Sequence, residues 1–170
     1  MGAVGSIVRG VDASALGTLA MDSVLYRRYR DAGGRSAFLG WESSEGVESW
    51  EAAPAPARVG KVLIDRVTRG DVPPRYARLL NNVMHWGFGL AAGAGFGLAM
   101  SSRRPRVWHG LPFGAAVWAG GYVVLPRLGV YEEIWKYDLE TLANDLSAHL
   151  VFGTATAAAF LLLAHTEVEK

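Results

Sequence analysis

One pattern of residues occurs twice in this chain, and it sets the scale of whatever the chain folds into. His85, Phe88, Gly89, Gly93, Gly95 and Phe96 are echoed, step for step, by His149, Phe152, Gly153, Ala157, Ala159 and Phe160. Each copy lies in a long apolar run in which small residues recur every four positions, the spacing that stacks side chains on one helix face. Two long helices follow, each able to approach a neighbour closely along a stripe of small residues.

Half of the composition is apolar, 21 of the 170 residues are glycine, and the charges collect in a few stretches. Four segments, at about 10–26, 79–100, 107–125 and 145–164, approach the roughly 20 apolar residues that a membrane-spanning helix needs. They predict an all-α integral membrane four-helix bundle, one membrane domain over 1–170, arranged as two tandem transmembrane hairpins. The first segment is the most polar, with Arg9 and Asp12 at its start and Asp22 near its end. A start at Gly10 would leave Arg9 and Asp12 as an i, i+3 pair at the interface. No cysteine is present, which excludes disulfides, thiolate metal sites and cysteine nucleophiles.

The connection at 27–78 is long. Its stretch 40–56 is acidic and rich in Ser, Ala and Pro, with Trp41 and Trp50 as the large apolar groups, too few for a core. At about 57–68, Val59, Val62, Leu63 and Val67 alternate with Arg58, Lys61 and Arg66, the pattern of an amphipathic helix in an interface plane. Ten basic residues lie between Arg27 and Arg78, and Arg127 and Lys136 share their side, against Arg103, Arg104, Arg106 and Lys170 on the other. That asymmetry predicts a cytoplasmic long loop in a multi-pass protein of a bacterial cell (inner) membrane. Tyr131, Trp135 and Tyr137 read as an aromatic belt, and His109 and His165 as interfacial.

Helices carrying the two motif copies would enter from the same side, bringing Asp22, Asn81, His85, Asp145 and His149 to one layer. Asn81 and Asp145 each stand four residues before a histidine, on its face. A His and Asp layer can pass protons or hold a small cation, so the leading expectation is a membrane protein handling one of these. A structural or assembly subunit, with the same groups acting as interhelical glue, is the alternative. A bis-histidine haem or metal protein, with His85 and His149 as ligands, is a further one. No cofactor is expected, and no catalytic triad or paired catalytic carboxylates emerge from spacing, so nothing argues for an enzyme.

Gly89, Gly93, Gly97, Gly110, Gly114 and Gly153 are expected to pack helices. The expected partners are a lipid bilayer and, through the glycine faces, a second copy or another membrane protein; no nucleic acid is expected.

The block Trp108-His109-Gly110 with Gly114, then Pro126, Trp135, and Asp145 to His149-Leu150-Val151, resembles the second half of the YagU-like family of bacterial inner-membrane proteins. The resemblance covers roughly residues 80–160. It implies a bacterial cell-membrane protein, carries no established activity, and points to His149 as a residue with a role. Ala148 stands where that family has glycine, and 40–56 has no counterpart.

Overall fold

Among the described residues there are six α-helices: α1 (Ala3–Asp31), α2 (Phe38–Glu42), α3 (Ala55–Thr68), α4 (Ala77–Met100), α5 (Gly110–Val124) and α6 (Leu139–Val168). The computed structural model describes residues 2–168, with side chains described to residue 164; the side chain of His165 lies outside them. Contacts divide the chain into two units, and the divisions fall inside the unbroken helices α1, α4 and α5.

The first unit comprises α1 to Leu25, the chain from Phe88 to Gly120, and the chain from Asp138 onward. Its packing rests on missing side chains. On α1 the buried stripe is Ser6, Arg9, Gly10, Ala13, Ser14, Gly17, Thr18 and Asp22, a helical face made almost wholly of small or polar groups. That face runs antiparallel along α4. A methyl added to Gly97 would strike the Ser6 backbone, one on Gly93 would strike Ser14 and the Gly10 carbonyl, and one on Gly89 would lie 2.6 Å from Thr18 Oγ1. Gly17 faces α6 at Phe152 and Thr156. In the same way α5 lies antiparallel on α6, where Gly110 meets Gly153 and Gly114 meets the His149 backbone.

Aromatic rings fill the space that the stripes leave. Phe96 and Phe160, equivalent positions of the duplicated motif, are 3% and 2% exposed and meet edge to face at 5.6 Å. Phe113 lies 4.9 Å from Phe96 and 5.6 Å from Phe152, joining α5 to both copies. Arg9 is buried with its guanidinium 5.3 Å from the Phe160 ring, a cation–π arrangement. Asp12 is on the exposed side of α1, so the expected Arg9 and Asp12 interface pair is replaced by an inward arginine.

The second unit, residues 26–87 and 121–137, is held by rings and polar bonds. Tyr26 and Tyr29, in the last turns of α1, pack with Phe38 and Trp41 of α2. Helix α3 begins after Pro54 and ends at Arg69 in the left-handed region, φ 54°. It docks on α4 through Ala57 and Gly60, with Gly60 against Leu80 and Met84, while Leu63 and Val67 remain exposed. The reading of this helix as interfacial is corrected accordingly: its small residues, not its valines, make the buried face. Lys61 ties Asp65 to Asp71, and Asp65 accepts the Val72 amide, closing the turn into α4. Tyr131 and Tyr137 turn inward onto buried Tyr122, leaving Trp135 exposed, so they form a cluster rather than a belt.

The four-span expectation is corrected. Among the described residues two helices, Pro74–Met100 and Leu139–Ala164, are long and apolar enough to cross a membrane by length and composition; α1 and α5 are not among them. Large apolar groups such as Phe88 and Leu162 are exposed, so the outer faces do not decide the matter. The interior does. Arg9, Ser6, Ser14, Thr18, Asp22, Asn81 and Thr156 are all buried, and in the second unit the Glu42 carboxylate lies near the His85 imidazole. An all-α fold of six helices with polar groups packed inside therefore replaces the transmembrane hairpins, and the lipid bilayer as partner and the inner-membrane location are withdrawn with them.

Candidate metal centre

Glu42 is the last residue of α2, a helix of five residues that buries none of them. What fixes it comes from its neighbours. On one side Trp41 packs 5.5 Å from Tyr26 and 6.0 Å from Tyr29. On the other, the turn after Glu42 is tied to α4: Arg78 donates to the Ser43 carbonyl and hydroxyl at 3.0 Å each, Asn82 donates to the Ser43 carbonyl at 3.0 Å, and Asn81 donates to Ser44 Oγ at 2.6 Å. Ser44 itself sits in the left-handed region, φ 53°, a conformation that a non-glycine residue holds only when its surroundings enforce it.

His85 lies one turn after Asn81 on the same face of α4. Asp22 lies one turn before Tyr26 on α1 and belongs to the first unit. Within the second unit, the Glu42 carboxylate and the His85 imidazole each offer one ligand atom, and these atoms lie within 4.8 Å of each other. Asp22 is buried at 2% exposure, and Glu42 and His85 are half-buried.

Asp22, Asn81 and His85 belong to the layer expected from the sequence; Glu42 does not. It stood in the acidic stretch 40–56, taken as surface. The sequence signal that marks it is Phe38-Leu39-x-Trp41 just after Tyr26 and Tyr29, an aromatic pairing that returns the chain to α1.

Asp145 and His149 form their own pair on α6. His149 Nδ1 is 3.4 Å from the Asp145 carboxylate and 2.9 Å from its backbone oxygen. Burial of the His149 ring acts to lower its pKa, but the hydrogen bonds and charge of Asp145 outweigh it, and the net effect is a pKa above the ordinary value. The bis-histidine expectation is corrected here: the ligand group beside His85 in its unit is the Glu42 carboxylate, and His149 is engaged by Asp145. His109 serves α5, accepting the Arg106 amide at Nδ1 at 3.0 Å.

No protein family, curated protein or solved structure matches this chain.

Proposed function

We infer that this protein binds a divalent metal ion through Glu42 and His85. The observation that carries the reading is the approach of a carboxylate and an imidazole, from two helices of the second unit, with ligand atoms within 4.8 Å of each other. A carboxylate oxygen and an imidazole nitrogen are both ordinary ligands of a divalent ion. This reading takes the place of proton or cation transfer through a membrane layer, and of a purely structural subunit. It stops at binding: a cavity of about 370 Å³ between α3 and α4, lined by residues such as Ile64, Val72, Tyr76 and Leu79, contains neither ligand. The YagU-like resemblance adds no activity to it.

The test is calorimetric titration of the chelator-treated 170-residue chain with Zn²⁺ and with Mn²⁺, alongside His85→Ala. Stoichiometric binding lost in the variant is the expected result. Absence of a stoichiometric ion, or binding that His85→Ala leaves intact, overturns the reading.

A further inference from the structure

The cavity between α3 and α4 is an apolar groove that lies wholly within the second unit. Buried Val72 and Leu80 form its floor, and exposed Ile64, Tyr76 and Leu79 form its walls. The floor is fixed by the backbone of Val72, whose amide donates to Asp65 at 2.9 Å and whose carbonyl accepts Trp50 Nε1 at 3.0 Å. A groove held in this way loses little freedom when it is filled. Helical spacing extends the walls beyond the cavity. Val67 follows Ile64 by three residues and is 84% exposed, and Val83 follows Leu79 by four and is exposed as well. Two helices thus present apolar rows along one groove, the arrangement into which the apolar face of a third helix packs.

Charge selects among the helices that would fit. Residues 55–83 carry six basic side chains and two acidic ones, and both acids are occupied: Lys61 meets Asp65 and Asp71 at 2.5 Å each. Arg75 is placed differently. Its guanidinium lies 5.0 Å from the centre of the Tyr76 ring, on a wall of the groove, and among the described residues it meets no carboxylate. A guanidinium stacked on a ring keeps its N–H edge for a carboxylate fork. Arg69 adds a second positive charge where α3 ends, between Thr68 and Gly70 of the lining.

We propose that the groove between α3 and α4 docks an amphipathic helix of a partner protein, whose apolar face fills the groove and whose flanking carboxylates meet Arg75 and Arg69. The rows that run on through Val67 and Val83 suit a helix of several turns better than a small ligand confined to the cavity. The surface does not depend on the metal reading.

The 170-residue chain is titrated into two fluorescein-labelled peptides of about 18 residues, each with Leu at helical spacing on one face and either Glu or Lys on the other. Anisotropy is read for the wild type, Leu79→Asp and Arg75→Glu, two exposed positions, with helicity by circular dichroism recorded for each. The expected result is a Glu peptide bound about tenfold or more tighter than the Lys peptide, weakened about tenfold or more by Leu79→Asp, with the preference narrowed about tenfold by Arg75→Glu. No binding of the Glu peptide, equal binding of both peptides, or binding that neither variant changes overturns the proposal. Should Leu79→Asp lose its helicity, Arg75→Glu decides: a narrowed preference supports the docking role, and an unchanged one sinks it. Sedimentation velocity and flotation with phosphatidylcholine and phosphatidylserine vesicles test the other occupants. A dimer that Leu79→Asp dissociates, or vesicle binding that it abolishes, without binding of the Glu peptide, gives the groove to a second copy or to lipid and overturns the partner helix.

Discussion

His85 and His149 occupy equivalent places in the two copies of one motif and keep different company. His149 has an acid one turn earlier on its own helix, and the pair satisfies itself. His85 has Asn81 at that place, and the acid beside it, Glu42, comes from α2. The packing of the copies differs in the same way. On α4 the closest backbone contact with α1 is at Gly93 and Gly97, whereas on α6 the contact with α5 is at His149 and Gly153. The second copy has Ala157 where the first has Gly93, and a methyl there forbids a backbone-to-backbone crossing. The crossing moves to the place where glycine persists, Gly153. A repeated pattern thus fixes which face packs, while single methyl groups fix where along that face the neighbour sits.

The comparison breaks most visibly where the copies agree. Phe96→Ala and Phe160→Ala each empty the shared aromatic core and are expected to cost about 3–5 kcal/mol by denaturant unfolding, in similar amounts. Next comes the difference between the histidines. With metal at about 100 times its dissociation constant, the wild type should gain about 2.7 kcal/mol, a gain that His85→Ala abolishes and His149→Ala retains. Equal losses in both variants would mean that the two histidines share one site.

Glycine substitutions then sharpen the packing contrast. Gly153→Ala drives a methyl into the Gly110 carbonyl and the Gly114 backbone, and is expected to cost about 1–3 kcal/mol. Gly95→Ala, where no atom lies within 4 Å, should stabilise by about 0.5–1 kcal/mol in the same assay. The smallest effect belongs to the Asp145 and His149 pair. Because the folded pKa of His149 is raised, its contribution is complete below the ordinary value near 6.5 and is lost as pH rises through the higher folded value. With about a quarter of each side chain exposed, it is expected to be on the order of 1 kcal/mol. Melting temperatures from pH 6 to pH 8 should fall more for the wild type than for Asp145→Asn; parallel falls would assign the pH dependence elsewhere.

Much of the helical layout is legible in the sequence because apolar runs and small-residue spacing report directly on helices. The segments at 79–100, 107–125 and 145–164 lie close to α4, α5 and α6, and 57–68 falls within α3. What composition hides is the destination of polar groups. Arg9 and Asp22 read as charges costly in lipid, yet on α1 they belong to the buried face, alongside Ser14 and Thr18, which meet Gly93 and Gly89 of α4. The same blindness conceals Glu42. A five-residue helix in a polar stretch has no periodicity to detect, and its place depends on Arg78, Asn81 and Asn82, whose reach is tertiary.

The two small-residue crossings also differ in how far apart along the chain their partners lie, and that difference bears on the order of assembly. Gly114 meeting His149 closes a loop of 35 residues, whereas Ser14 meeting Gly93 closes one of 79. Doubling a loop adds only about 0.6 kcal/mol of closure entropy, but that cost falls before any contact repays it. The later pair of helices is therefore the natural nucleus, with α1 joining last. In kinetic terms, Gly114→Ala should slow folding, while Ser14→Ala should chiefly hasten unfolding, and the reverse pattern would place the nucleus at the start of the chain.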